Sequence, residues 1–174
     1  MAIRIIELDG PAMEQRREGL AHILADSVAA GASISFILPF SYADAHLFWS
    51  RSVQPEVEAG NRVVFGALDE DQLLGTVQLI TAMPANQSHR GEIAKLIVAP
   101  QARRLGIGRS LMSHALEYAR LIGKSLVTLD TRTGDVAEPL YASLGFQVAG
   151  IIPDFAWDHD GKARHPTTYM YRQL

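Results

Sequence analysis

The hydrophobic and polar positions along the chain divide it into short apolar runs and longer stretches with a helical period. Ile3–Leu8 is a short apolar run that predicts a first strand, and the turn residues after it predict a helix over Pro11–Ala29. Ser41 with Asp44 resembles a capping box and predicts the start of a second helix. Pro55 predicts either a kink in that helix or a new turn.

Three β-rich runs occupy the middle of the chain. Arg62–Leu68 and Leu73–Thr81 are separated by the polar residues 69–72, which predicts two strands joined by a hairpin. Gly91–Val98 predicts a further strand that ends before Pro100, because proline cannot donate a ladder hydrogen bond.

An amphipathic helix is predicted from Gly108 to the glycine at position 123. Its apolar residues recur at intervals of three and four, so they form one stripe that packs against a sheet. The members of the stripe are Leu111, Met112, Ala115, Leu116, Ala119 and Ile122.

The remaining elements complete an α/β pattern. Ser125–Leu129 predicts a buried parallel strand, Val136–Leu144 a short helix, and Phe146–Ile152 and Thr167–Arg172 the last two strands. The resulting order of seven strands and four helices predicts an α/β layering with a mixed sheet. We expect residues 1–174 to form a single domain.

The composition excludes several classes of function. Apolar residues make up 48% of the chain and the formal net charge is only -3, so nothing points to disorder or to nucleic acid as a partner. With no cysteine, the chain has no disulfide, no thiol nucleophile and no thiolate metal site. We find no signal peptide and no run long enough for a membrane span, and we therefore expect a cytoplasmic protein without a membrane partner.

The segment that follows the Gly91–Val98 strand has the features of an anion site. Arg103 and Arg104 precede Gly106 and Gly108, and the amphipathic helix begins there. The first N–H groups of a helix lack internal partners and its dipole is positive at that end, which favours a phosphate. Glycine lets the backbone approach the phosphates closely. The two glycines alone would equally fit a tight turn on a basic surface.

Two familiar phosphate-binding patterns do not fit these residues. The dinucleotide pattern Gly-x-Gly-x-x-Gly needs a third glycine where this chain has Leu111. The nucleoside-triphosphate loop needs Gly-Lys-Ser or Gly-Lys-Thr, and neither occurs in the chain.

Two motifs together resemble the GCN5-related N-acetyltransferase (GNAT) family. Arg103-x-x-Gly106-x-Gly108 after a strand resembles that family's coenzyme A signature, and the segment from Leu140 to Phe146, with Tyr141, resembles its second motif. The resemblance implies the single-domain GNAT fold, with a mixed, mostly antiparallel central sheet of about seven strands flanked by about four helices. It implies acetyl-CoA as cosubstrate. It also implies that one strand of a splayed parallel pair binds the pantetheine arm through its backbone. The implied cofactor-binding residues are Leu96, Ile97, Val98, Arg103, Arg104, Leu105, Gly106, Ile107, Gly108, Arg109 and Ser110.

Acetyl transfer to an amine needs a proton acceptor and a proton donor. The resemblance places Glu92 and Asp130 near the reaction centre as joint candidates for the base, with Glu92 preferred. It makes Tyr141 the general acid, although a tyrosine before Leu-Gly-Phe could also serve only to fill the core. Members of the family often carry asparagine where this chain has Gly134, and Asp135 or the backbone could replace that contact.

Scattered residues resemble the tabtoxin-resistance subfamily, which acetylates a β-lactam amino acid toxin. They are Gly31-Ala32-Ser33, Glu92-x-x-Lys95-Leu96, Leu129-Asp130-Thr131, Tyr141 and His165-Pro166-Thr167. The resemblance implies direct transfer, in a ternary complex, to an amine or hydroxyl of a small molecule. Acetylation of a protein or peptide and a non-catalytic acyl-CoA sensor are the alternatives.

No metal is expected. The six histidines are dispersed and give no helical ligand pair. Asp158–Gly161 superficially resembles a calcium loop but lacks its third acidic ligand and its distal glutamate, which favours a hairpin turn. Phe40, Phe48 and Trp49 are core residues or walls of an acceptor pocket. We expect a monomer or a homodimer.

Overall fold

The sheet has seven strands in the computed structural model, which describes residues 2–174. The strands are β1 (Ile3–Glu7), β2 (Arg62–Asp69), β3 (Gln72–Ile80), β4 (Arg90–Val98), β5 (Leu126–Arg132), β6 (Gln147–Trp157) and β7 (Arg164–Gln173). They lie in the order β1-β2-β3-β4-β5-β7-β6, and every neighbouring pair is antiparallel except β4 with β5, which is parallel. The predicted mixed, mostly antiparallel sheet is confirmed.

The described residues form six α-helices, with two of them in each of the two helical regions before β2. They are α1 (Gly10–Gln15), α2 (Arg17–Ala29), α3 (Tyr42–Leu47), α4 (Gln54–Glu58), α5 (Ile107–Leu121) and α6 (Ala137–Ser143). The prediction of one continuous helix over Pro11–Ala29 is wrong. Arg16 leaves the helical conformation, with φ -107° and ψ 15°, and separates α1 from α2. No glycine or proline marks that break in the sequence.

The capping box predicted for the second helix is confirmed. The backbone N–H of Asp44 donates to Ser41 Oγ at 3.1 Å, and the N–H of Ser41 donates to the Asp44 carboxylate at 2.8 Å. A π-helical turn, Phe48–Val53, then continues α3 directly into α4. Pro55 lies in the first turn of α4, directly after this π-helical turn.

Helix α5 packs its predicted apolar stripe against the sheet. Leu111, Met112, Ala115, Leu116 and Ala119 are all buried in the core. Ile122 lies beyond the end of the helix and is 41% exposed, so its assignment to the stripe is wrong. This packing holds the first residues of α5 beside the end of β4.

Strands β4 and β5 form a fork. They pair only over Arg90–Glu92 and Leu126–Thr128, and from there β4 follows β3 while β5 follows β7. Ala94 pairs with Gln78 and Ile97 with Thr76, which leaves one extra residue in β4 and makes a bulge. The splayed pair that the family resemblance implies is therefore present.

The hairpin of β6 and β7 completes the sheet, and both strands are longer than predicted. Residues 158–163 turn tightly, with the N–H of Asp158 donating to the carbonyl of Ala163, so the prediction of a hairpin turn is confirmed. β6 is the edge strand and is exposed along almost its whole length. Within residues 2–174 no helix is long and apolar enough to cross a membrane.

Candidate functional site

A cleft of about 590 Å³ opens between the two arms of the fork. The loop between α2 and α3 forms one wall, and the hairpin of β6 and β7 forms another. The predicted residues that line the cleft come from four separate parts of the chain: Leu96, Ile97, Val98, Arg103, Asp130 and Tyr141.

The start of α5 has the geometry of an anion site. Gly106 is the N-cap, with φ +79°, and no side chain caps the helix. No atom would lie within 4 Å of a Cβ at Gly106, so its backbone faces open space. The N–H groups of the first helical turn, from Ile107 to Arg109, are therefore free to bind an anion.

The predicted basic residues differ in their surroundings. Arg103 lines the cleft, and its Nε donates to the carbonyl of Val98 at 3.4 Å. Arg104 is exposed beside Gly106. Arg109 instead donates to Ser143 Oγ at 2.7 Å, so its side chain ties α5 to α6.

The other predicted loop residues divide between core and surface. Ile107 is 2% exposed and anchors the start of α5, whereas Leu105 is 53% exposed. Ser110 Oγ donates to the carbonyl of Gly106. A Cβ at Gly108 would lie 3.3 Å from Leu140 Cδ2, so a glycine at this position also allows α5 and α6 to pack closely.

The carboxylates of Glu92 and Asp130 lie at different depths in the fork. Asp130 lines the cleft, and its carboxylate accepts a hydrogen bond from the Thr167 hydroxyl at 3.2 Å. Glu92 belongs to the last pair before the strands separate and lies 3.5 Å from Arg90 in a half-exposed ion pair, outside the cleft lining. Glu92 pairs with Thr128, two residues before Asp130 on β5, so both carboxylates lie on the same side of the sheet.

Tyr141 of α6 is a buried residue that lines the cleft. Its ring lies 6.0 Å from that of Phe146 in a T-shaped contact, and the residue is only 7% exposed. Burial, followed by the charges of Asp135 and Asp130, raises the pKa of its hydroxyl above the ordinary value. The phenol therefore stays protonated at any physiological pH and can donate a hydrogen bond or a proton.

A serine and a histidine that the sequence analysis gave no role also face the cleft. Ser33 Oγ lies 2.9 Å from His165 Nε2, and His165 Nδ1 lies 3.1 Å from the carbonyl of Pro166. A carbonyl only accepts, so Nδ1 carries the proton and Nε2 of the neutral ring accepts from the Ser33 hydroxyl. Both residues belong to short segments, residues 31–33 and 165–167, that carry no motif indicating this contact.

The aromatic residues around the acceptor side differ from the expectation. Trp49 is 1% exposed and donates its indole N–H to the carbonyl of Leu20, so it is a core residue. Phe36 of the α2–α3 loop lines the cleft, and neither Phe40 nor Phe48 does.

Two further predictions concern metal binding and Gly134, the position at which family members often carry asparagine. In the described part of the chain, residues 2–174, no three His, Asp or Glu side chains come together as a metal site. Gly134 has φ +77°, and its N–H donates to the Glu138 carboxylate at 2.7 Å. Asp135 beside it lines the cleft.

Comparison with known proteins gives a family match over most of the chain. The model of the acetyltransferase (GNAT) family matches residues 34–146. Over 87 residues, 49% of this chain, the sequence is 41% identical to an amino-acid acetyltransferase of Neisseria meningitidis. The aligned stretch is 18% of the length of that relative.

Solved structures share the fold over their whole length. A ribosomal-protein-alanine N-acetyltransferase from Brucella melitensis has a TM-score of 0.79 and 22% identity, with 100% of both chains covered. A candidate acetyltransferase of Salmonella typhimurium, solved with its cofactor acetyl-CoA, has a TM-score of 0.79 and 19% identity, with 100% of this chain and 95% of that chain covered. At these identities the likeness shows the fold alone.

Proposed function

Because the chain belongs to the acetyltransferase (GNAT) family, we propose that it transfers the acetyl group of acetyl-CoA to an amine of a small molecule. The observation that carries this proposal is a single cleft lined by the unpaired end of β4, by Arg103 of the loop before α5, and by Asp130 and Tyr141. The α5 start suits the donor, and the opposite side of the cleft, near Asp130, suits the acceptor.

The residues of the donor side fit coenzyme A. The uncapped start of α5 and the open backbone at Gly106 suit a pyrophosphate, and Arg103 adds a positive charge at the cleft. Beyond Glu92, the edge of β4 that faces β5 is free of pairing. Free N–H and C=O groups along Ile93–Val98 can therefore bind the amides of a pantetheine arm, as an added strand would.

Asp130 and Tyr141 can provide the two proton transfers. Asp130, held by Thr167, accepts a proton from the attacking amine. When bound, acetyl-CoA supplies the thioester that this amine attacks. Tyr141 donates its proton to the sulfur that leaves. Since Asp130 lines the cleft and Glu92 does not, we propose Asp130 as the base, with Glu92 at the vertex of the fork.

The size of the cleft suits a small acceptor. A volume of about 590 Å³ shared by the reactive end of the donor and by the acceptor is in the range of small-molecule sites. An amino acid derivative, including a β-lactam-type toxin, is the acceptor that we propose. Direct attack in a ternary complex requires no nucleophile from the protein, which agrees with a chain that has no cysteine.

Release of coenzyme A thiol from acetyl-CoA tests the proposal. We expect turnover with one or more members of a panel of small amines and amino acids, and little with peptides. Turnover confined to peptides would indicate a protein acetyltransferase instead. Tight binding of acetyl-CoA without turnover of any acceptor would indicate a sensor.

A change at Gly106 should weaken acetyl-CoA binding selectively. Gly106→Ala forces a side chain into the left-handed region, which costs about 1–2 kcal/mol and shifts the backbone at the start of α5. We expect the KM for acetyl-CoA to rise roughly tenfold if the shifted N–H groups lose about 1.4 kcal/mol of their interaction with the pyrophosphate. Steady-state kinetics with acetyl-CoA as the varied substrate measures it.

Gly60→Ala is the matched control for that change. Gly60 has φ +74° and open space around a Cβ, like Gly106, but it lies in the turn before β2 and outside the cleft. It should lower the melting temperature by a similar amount and leave the KM unchanged. An equal rise of the KM in both variants would contradict a donor site at the start of α5.

A further inference from the structure

Two residues in an uncommon backbone conformation meet at the acceptor side of the cleft. Lys95 has φ +51° and Ser35 has φ +76°, a region that residues with a Cβ seldom adopt. Lys95 Nζ donates to Ser35 Oγ at 2.8 Å, and both residues line the cleft. The same ammonium group lies 5.7 Å from the centroid of the Phe36 ring.

The bulge in β4 accounts for the direction of the Lys95 side chain. Lys95 and Leu96 together stand opposite one residue of β3, between the pairs made by Ala94 and Ile97. A bulge of this kind turns a side chain away from the alternation of the strand. It brings the ammonium group to the α2–α3 loop, and Ser35 and Phe36 hold it there.

The ammonium group of Lys95 lacks a counter-ion within the protein. Among residues 2–174 no carboxylate lies within ion-pairing distance of it, and Ser35 Oγ is its hydrogen-bond acceptor. An ammonium has three N–H donors, so two remain for a ligand. Burial lowers the pKa of Lys95, the charge of Asp130 opposes this effect and the charge of Arg62 adds to it. The charge of Lys95 is therefore partly removed from water. A half-buried charge of this kind is stabilised by an anionic partner.

Lys95 and Asp130 lie on opposite arms of the fork and line the same cleft. A ligand that satisfies both carries a carboxylate at one end and an amine at the other. We propose that Lys95, held in place by Ser35, binds a carboxylate of the acceptor and makes the enzyme select amino acids over simple amines. This inference rests on the proposed function, since Asp130 takes the amine that is acetylated.

Matched acceptor pairs test the inference at saturating acetyl-CoA. The pairs are lysine with cadaverine, leucine with isopentylamine and phenylalanine with phenethylamine, and the members of each pair differ only by the carboxylate. We expect wild type to favour the amino acid of at least one pair by tenfold or more in kcat/KM. Lys95→Met should abolish that preference by raising the KM for the amino acid and not the KM for the matched amine.

The ratio of kcat/KM for the amino acid to kcat/KM for the matched amine is compared between wild type and each variant. The intrinsic reactivity of the two amines is the same in every variant, so the change in preference reports the contribution of Lys95 alone. Lys95→Arg keeps the charge and should retain most of the preference. Ser35→Gly removes the hydroxyl, is compatible with φ +76°, and should lower the preference several-fold without loss of fold.

The outcomes separate this inference from the proposed function. Turnover of amines and amino acids without any preference for the carboxylate, or an equal loss for both acceptors in Lys95→Met, would overturn the role of Lys95 and leave acetyl transfer intact. The absence of turnover with every acceptor would overturn both.

Discussion

Replacing Tyr141 by phenylalanine should lower kcat by about 100-fold or more and leave the KM for acetyl-CoA nearly unchanged. The substitution removes one hydroxyl from a ring that is buried against Phe146, so the packing of α6 is preserved. It also removes the only proton that Tyr141 can give to the departing sulfur. Steady-state kinetics with both substrates varied separates the two parameters.

Tyr118→Phe is the control for this loss. Tyr118 lies on α5, packs its ring 5.3 Å from that of Phe65 and does not line the cleft. The same chemical change at Tyr118 should leave kcat unchanged. If Tyr141→Phe retained the kcat of wild type, Tyr141 would be a packing residue and the general acid would have to be sought elsewhere.

The two candidate bases should respond unequally to isosteric substitution. We expect Asp130→Asn to lower kcat/KM for the acceptor by about 100-fold or more, because an amide cannot accept the proton of the attacking amine. Glu92→Gln should have a smaller effect, since Glu92 lies at the vertex of the fork beside Arg90 and outside the cleft lining. Initial rates at saturating acetyl-CoA measure both.

Asp154→Asn provides the control for charge. Asp154 is an exposed carboxylate of β6, far along the edge strand, and its ion pair with Arg164 has a distance of 3.9 Å. Its removal should leave kcat/KM unchanged. A larger loss in Glu92→Gln than in Asp130→Asn would reverse the assignment and make Glu92 the base.

Local signals predicted the elements on either side of Gly106 well. The strand that ends before Pro100 and the apolar stripe of α5 both depend on neighbours within a few residues. Such features can be inferred from short-range sequence, because backbone conformation and helix amphipathicity are local properties.

The acceptor side depends on contacts that no local pattern shows. Ser33 and His165 form a hydrogen bond although they are 132 residues apart in sequence. No glycine or proline marks the bulge that turns Lys95 into the cleft. The sequence pattern alone therefore predicts an ordinary strand over Gly91–Val98. The break between α1 and α2 at Arg16 is likewise not marked by a glycine or a proline at that position. These features arise from long-range packing, which overrides local propensity.

The short pairing of β4 and β5 also affects how wide the cleft can open. The two arms of the fork share only three residue pairs, and the arm of β4 beyond the vertex has a length of about 20 Å at the usual rise per residue. A small change of angle at the vertex is therefore amplified toward the open end of the fork. Stiffness at the vertex, supported by the hydrogen bonds of Arg90 with Thr128 and of Lys124 with the carbonyls of Thr81 and Ser88, sets how far the cleft can widen.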